Sequence, residues 1–455
     1  MEEVVFKEKS RLMSYRYFTF IFSLFLVGFG GWAGDVVAQE SDFAELALSD
    51  YTFDPQIHSV TFSGVPGSSG LPVISEPSLL IYSSCYCPYY NFLTFSFDDF
   101  SPDLRRFYYT VVPCTYDWKR IEAPLKDFFC SKSPQGAIED YTISEKTLTP
   151  YTHYEFTFPK RGDRFLRSGN YVLQVYDAVT NSLVISRRFM LLDESIKVVQ
   201  RRVEPLVQSE TDRRQEVIFS IESGKWNDLD GNSELRTVVL QNNRWDNAVI
   251  GVKPSHSSPA RKVFARGGEI SFEAGNAFRE LDLTCLDMPG MEFDTIQKLA
   301  NGYKAVLHKE SSRAEEPWNY EDLDGGFFIP GRKDDCNLGE YVDVVFRYSS
   351  PEEYDGYEMY VFGGLSEFRL KPEFLMRYDE EEQAYVAEIK LKQGVYNYCY
   401  ALVPKDGGAM ETARTEGNWE TTENNYTILL YYHPSGGEYD RLVGMAVVSS
   451  RLLSR

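Results

Sequence analysis

The 455-residue sequence predicts an all-β protein of two to three tandem β-sandwich domains, and three observations carry that reading. Apolar residues recur at every second position in run after run, whereas the 3.6-residue period of an amphipathic helix is almost absent. The runs are short and evenly separated by turn-forming Gly, Asn, Asp and Ser, which is the pattern of a sandwich. Aromatic residues make up 15% of the chain, with 31 Tyr and 31 Phe, a share that suits strands and interfaces. A chain of this length exceeds what one hydrophobic core usually serves, so several domains are expected.

In chain order, residues 1–39 read as a cleavable signal peptide. Arg11 and Arg16 precede an apolar run at 18–27, then come Gly28, Gly30 and Gly31 and a small-residue site ending Val36-Val37-Ala38-Gln39. A membrane span needs about 20 apolar residues, and the glycines interrupt this run soon after about ten. The acids ahead of Met13 make an unusual leader start, and translation from Met13 would leave a conventional one. No cysteine precedes Cys85, so the leader offers no site for a lipid anchor.

Residues 40–196 form the first expected sandwich. Leu93, Phe95 and Phe97 share one face of a strand, as do Phe107, Tyr109 and Val111, then Tyr154, Phe156 and Phe158, then Tyr171, Leu173 and Val175 after the turn Ser168-Gly169-Asn170. The second, 197–330, opens with Val217, Phe219 and Ile221 and is interrupted by turn-rich stretches. The polar, glycine-punctuated stretch 331–339 leads into the third, 331–455. Its strands begin at Val342, Val344 and Phe346, and its length is that of one immunoglobulin-like sandwich.

The formal charge of −21 repels phosphate backbones and makes nucleic acid an unlikely ligand. Removing residues 1–39 deletes four bases and four acids, so the acidity belongs to the folded part. Seven cysteines (Cys85, Cys87, Cys114, Cys130, Cys285, Cys336 and Cys399) are an odd number, so at least one is free or pairs between chains. Cys85-x-Cys87 lacks the second pair or the histidines that a zinc site wants.

The five histidines (58, 153, 256, 308 and 433) can be checked singly. His153 lies on the polar face of a strand with no serine or cysteine elbow, which fits a hydrogen bonder of the sheet better than a general base. No hydrolase, zinc-protease, Walker or dinucleotide motif occurs. Asp228-x-Asp230-x-Asn232 begins like a calcium loop, but Ser233 stands where glycine is needed and Val239 where the bidentate glutamate should be. Asp and Asn side chains bonding their own backbone explain that turn, and the one at Asp322-Leu323-Asp324-Gly325, without a metal. The reading is of a binding protein without catalytic, metal or cofactor residues.

Aromatic clusters carry the only binding signal. Trp stands among polar residues in Asn243-Arg244-Trp245-Asp246-Asn247, Trp318-Asn319-Tyr320 and Gly417-Asn418-Trp419-Glu420, as it does at protein hot spots, at sugar platforms and where it seals a sandwich end. Arg244, Trp245, Asn247 and Trp419 are the candidate partner-binding residues.

Read together, these segments resemble the plug protein family of the type IX secretion system of Bacteroidetes, over nearly the whole mature chain. In the first domain the carrying stretches are Tyr109-Thr110-Val111-Val112, Cys114-Thr115-Tyr116-Asp117-Trp118, Thr149-Pro150-Tyr151-Thr152-His153-Tyr154, Ser168-Gly169-Asn170-Tyr171 and Arg188-Phe189-Met190. Beyond it they are Gln241-Asn242-Asn243-Arg244-Trp245-Asp246-Asn247, Gly275-Asn276-Ala277-Phe278-Arg279, Asp322-Leu323-Asp324-Gly325, Tyr360-Val361-Phe362-Gly363, Lys392-Gln393-Gly394-Val395-Tyr396 and Glu416-Gly417-Asn418-Trp419-Glu420. Pro113 and Phe368 depart from the family pattern, where a His and a Trp would be expected. The resemblance implies a non-enzymatic periplasmic protein that docks on a large outer-membrane β-barrel translocon and closes its periplasmic opening. The alternative is an exported carbohydrate-binding protein, because Tyr360-Val361-Phe362-Gly363-Gly364-Leu365 and Gly394-Val395-Tyr396-Asn397-Tyr398 also resemble the early-set modules that accompany starch-acting enzymes.

Overall fold

Among the described residues four β-sheets stack face to face, a larger one folds around a core of its own, and Phe129–Cys130 pairs with Arg164–Phe165 in a small sixth sheet. The computed structural model describes residues 42–75, 92–130, 136–160, 163–207, 213–222, 235–265, 267–287, 290–330, 339–434, 437 and 439–451. The expected signal peptide, Cys85, Cys87, Cys336 and the turn at 228–232 lie outside them. Residues 42–46 are helical; all contacts given below lie within the unit Leu48–Arg455.

The first sandwich pairs a six-stranded sheet with a four-stranded one. The six-stranded sheet runs Tyr51–Thr52, Leu183–Leu192, Gly169–Asp177, Phe107–Cys114, Gly136–Ile138, with Val73–Ser75 added in parallel to Leu183–Leu192; the other runs Ile57–Ser63, Leu93–Asp99, Thr152–Phe158, Tyr141–Ile143. The alternation in the sequence decides what meets between them. Phe95, Phe97, Tyr154, Phe156 and Phe158 from one sheet pack on Phe107, Tyr109, Tyr171 and Phe189 from the other, all at most 3% exposed. Tyr109 stacks on Phe156 at 5.1 Å and Phe97 on Tyr154 at 5.0 Å, contacts that add to simple burial.

The opposite face of the six-stranded sheet is apolar as well. Val112, Cys114, Val172, Met190 and Leu192 meet Val238, Leu240, Leu429, Tyr431 and Leu442. Those five belong to a four-stranded sheet, Val249–Ile250, Leu235–Gln241, Asn425–Tyr432, Arg441–Ser449. Its far face in turn places Val239, Ile428, Leu430 and Val443 against Val203, Val217, Phe219 and Ile221 of a five-stranded sheet that contains Lys197–Val207, Arg213–Glu222 and Arg261–Phe264. The two middle sheets are therefore covered on both sides, and Ile428, Leu429, Leu430 and Tyr431 read as an unbroken apolar run because every side chain is inside. Gly169, at φ +131°, permits this stack; a Cβ there would lie 2.5 Å from the carbonyl oxygen of Asp440.

The third sandwich comes from 279–404, a nine-stranded sheet wrapped around Val344, Phe346, Met359, Val361, Tyr398 and Tyr400. Strand pairing crosses the boundary expected at 330/331 repeatedly. Arg279–Asp282 and Gly302–Leu307 pair with Val395–Pro404 and Tyr341–Ser349, and Leu235–Gln241 pairs with Asn425–Tyr432. The third sandwich is thus inserted into the second, between its strand Ser271–Glu273 and its closing hairpin Asn425–Tyr432 with Arg441–Ser449, so 197–330 and 331–455 interleave instead of following one another. Hydrogen bonding between strands far apart in sequence leaves no local trace, which is why turn-rich segments alone put the boundary at 330.

Candidate docking surface

Arg244, Trp245 and Asn247 sit in the turn between Leu235–Gln241 and Val249–Ile250, and the structure turns all three inward. Trp245 meets Trp118 of the first sandwich edge to face at 4.9 Å, with the Arg188 guanidinium 4.6 Å from one ring and 5.4 Å from the other. Arg244 is held by Asp246 through two bonds of 3.1 and 2.6 Å. Its guanidinium lies over Phe362 and Phe368 of the third sandwich at 5.4 and 5.2 Å. Phe368, one of the two departures from the pattern the sequence resembles, serves as one wall of this stack. Asn247 donates to Gln241 Oε1 at 2.9 Å. The turn is where all three sandwiches meet, and its aromatic and cationic groups are used in that junction.

Trp419 lies in the loop 412–424 that leads back from the third sandwich to the second. Arg213 covers its ring at 4.4 Å, its backbone N–H donates to Gly275 O at 2.8 Å, and Gly275 N donates to Asn418 Oδ1 at 2.9 Å. Beneath, Glu416 (2% exposed) accepts from Arg279 Nε at 3.0 Å and from Arg313 Nε at 2.9 Å, while Arg279 Nη1 reaches Glu310 at 2.9 Å. Tyr398 donates to the same Glu310 at 2.8 Å. Asn424 joins the second sandwich by donating to Gln215 Oε1 and Ala274 O and accepting from Asn242. Here the stretches Gly275–Arg279, Asp322–Gly325 and Glu416–Glu420 come together with Gln241 and Asn242, though nothing in their sequence spacing says so.

A second weld joins the first sandwich to the third. Asp98 is fully buried and receives Lys392 Nζ on Oδ2 at 2.6 Å, Tyr341 OH on the same oxygen at 2.6 Å and His153 Nδ1 on Oδ1 at 2.6 Å. Burial alone would push this carboxyl up, but the Lys392 ammonium and the His153 bond outweigh it and hold it down at about 2. Burial also opposes charge on His153, and its hydrogen bond to Asp98 overcomes that and raises the imidazole. Nearby, Glu367 at φ +59° takes Arg187, Lys371 and the Thr52 hydroxyl, and its carboxyl is driven well below the ordinary range against the cost of burial. Between these two clusters lies a cleft of about 500 Å³ lined by His58, Tyr341, Leu365, Glu388, Lys390 and Tyr396 among others. Of its four carboxylates, Asp54, Glu367 and Glu388 are engaged by Arg105, by Arg187 with Lys371, and by Lys304, and Glu373 is the fourth. Among the described residues no group of three or more His, Cys, Asp or Glu side chains could hold a metal ion, and no helix is long and apolar enough to cross a membrane.

Among the exposed apolar side chains of the described residues, two lie on the loop 311–323. Trp318 is 44% exposed and Leu323 41%, and Glu315, Glu316 and Glu321 are exposed around them. The sequence marks Trp318 and Trp245 with the same signal, an indole among polar residues, and only the folded chain distinguishes them.

Residues 86–193 match the model of the type 9 secretion system plug protein 1st domain. Over 88% of this chain and 99% of its own, a hypothetical protein from Parabacteroides merdae is similar in structure, with a TM-score of 0.78 at 26% identity. A biofilm-associated protein BSP domain aligns at 9% identity over 88% of this chain and 60% of its own, but its TM-score of 0.16 carries no argument. No curated protein matches the chain.

Proposed function

We propose, taking residues 86–193 as a first domain of the type 9 secretion system plug family, that the chain is a non-enzymatic periplasmic plug that binds the periplasmic opening of the outer-membrane translocon barrel and seals it. The family match over residues 86–193 is the observation that carries this reading; the Parabacteroides merdae structure shares the fold over 88% of the chain and names no role. The packing supports it physically. A cover over a wide pore has to stay rigid when solutes strike it, and here the three sandwiches are tied by a two-sided apolar stack and by buried charged clusters at two separate junctions. The carbohydrate alternative loses two of its three platforms, since Trp245 and Trp419 are covered by Arg188 and Arg213, and keeps Trp318.

The test is affinity purification of the tagged full-length protein from detergent-solubilised envelopes at low salt, with mass spectrometry of what is retained. Near-stoichiometric recovery of a very large outer-membrane barrel is the expected result. Recovery of the protein alone across several detergents would overturn the plug reading.

A further inference from the structure

We infer that the loop 311–323 is the contact through which the protein holds an arginine-bearing segment of its partner, with Trp318 as the anchor; this rests on the plug reading and names its surface. The loop is long and irregular, yet its backbone is clamped. Asn276 Nδ2 donates to Glu316 O at 3.1 Å and its Oδ1 accepts from Trp318 N at 2.8 Å, so one buried-side amide fixes both arms of the turn. Arg313 donates to Ala277 O at 2.5 Å, to Glu416 Oε2 at 2.9 Å and to Tyr320 OH at 3.2 Å. Gly417, at φ +92°, lets the neighbouring loop close on it, since a Cβ there would be 3.1 Å from Ala314 Cα. A side chain displayed on a fixed backbone loses little further freedom on binding.

The chemistry of the display selects the occupant. The Arg313 guanidinium lies 5.4 Å from the Trp318 ring and is itself buried by its carboxylate and carbonyl partners, so one side of the indole already holds a planar cation. The ring remains 44% exposed. Glu315, Glu316 and Glu321, exposed on the same loop, have no cation within ion-pair distance among the described residues. An exposed indole with three exposed carboxylates within three residues of it in the chain suits a guanidinium, which can stack on the ring while the acids offer it charge. A neutral sugar would use the ring but not three carboxylates, and an acidic or phosphorylated partner would be repelled by them. The basic groups are thus assigned to periplasm-facing turns of the barrel.

The experiment measures binding of the full-length protein to the detergent-purified barrel, with Trp318→Ala and, separately, the triple reversal Glu315→Lys, Glu316→Lys, Glu321→Lys. Near-ultraviolet circular dichroism of each variant checks that it is folded. Trp318→Ala is expected to raise Kd about 30-fold, as for a central aromatic anchor. The triple reversal should weaken binding at least about 10-fold at low salt and flatten its salt dependence. If the wild type binds the barrel and both folded variants bind it equally well, the surface is wrong and the plug reading stands. If the wild type fails to bind at all, the plug reading falls and this inference with it. Quenching of Trp318 fluorescence by a glucan, lost in Trp318→Ala, with no effect of the charge reversal, would replace the arginine segment by a sugar.

Discussion

The first sandwich is attached to the rest of the molecule by two junctions of opposite chemistry. Toward the second sandwich it presents Val112, Val172, Met190 and Leu192 to Val238, Leu240, Leu429 and Leu442, a mainly apolar contact, with Arg188 against Trp118 and Trp245 and an Asp193–Arg441 ion pair beside it. Toward the third it presents Asp98, His153 and Arg187 to Lys392, Tyr341 and Glu367. The apolar junction gains from area removed from water and tolerates small rotations. The charged one gains little net energy, because each ion gives up its hydration, but it is satisfied in only one orientation. One junction holds the sandwiches together and the other fixes their angle.

The comparison is broken most severely at Lys392. Lys392→Ala strands the Asp98 carboxylate in the interior, and a loss of about 3–5 kcal/mol is expected in guanidinium unfolding. Asp98→Asn combined with Lys392→Met removes both charges and should restore most of it, the mark of a junction that specifies more than it stabilises. A loss under about 1 kcal/mol for the single variant would mean that water reaches the pair and that the two junctions are not opposites.

Next in size is Leu429→Ala in the apolar junction, where a cavity among fully buried neighbours should cost about 2–5 kcal/mol. Its cost should be the same at low and high salt and between pH 5 and 8, whereas the Lys392 effect should not. Equal salt sensitivity of the two variants would erase the distinction.

Smaller effects separate the junctions by pH. Asp98 ionises more readily folded than unfolded, so its contribution is complete above the ordinary carboxyl value of 3.8 and is lost as pH falls through about 2. His153 is raised by its Asp98 bond, so its contribution is complete below the ordinary 6.5 and is lost as pH rises through its folded value. Denaturation midpoints of His153→Gln against wild type should converge on the alkaline side and diverge below pH 6.5. Smallest of all is a labelling difference without any change in stability. Cys114 lies inside the apolar junction with its thiol pushed up to about 12 by burial, and Cys285 is exposed. Peptide mapping after a brief thiol pulse should find Cys285 modified and Cys114 protected; early modification of Cys114 would show that the apolar junction opens first.

Much of the first sandwich is legible in the sequence because one face of each strand is apolar. Phe95, Phe97, Tyr154 and Phe156 alternate with polar neighbours, and they line the core that the alternation implies. The alternation fades where a sheet is covered twice, as at Ile428–Tyr431, and there the sequence says that a strand is buried without saying what covers it. Order of assembly was not legible either, since the pairing of Leu235 with Tyr432 joins segments separated by an entire sandwich. The candidate residues divide along the same line. Arg244, Trp245 and Trp419 carry the composition of an interface because they do form interfaces, but internal ones. Asn276, which fixes the Trp318 loop, has no sequence signal beyond its place in Gly275-Asn276-Ala277.

The insertion of one sandwich into another sets a timetable. As the chain emerges from its amino end, Leu235–Gln241 is complete long before Asn425–Tyr432 exists to lie beside it. In the interval Val238, Leu240 and Val239 present apolar side chains on both faces of an open edge, the kind of strand that pairs with whatever edge it meets. The inserted sandwich has its own core and can form while the enclosing one waits. The hairpin 425–449 is therefore the closing step for half the molecule, and a companion that shields Leu235–Gln241 until then would protect the protein at its most vulnerable moment.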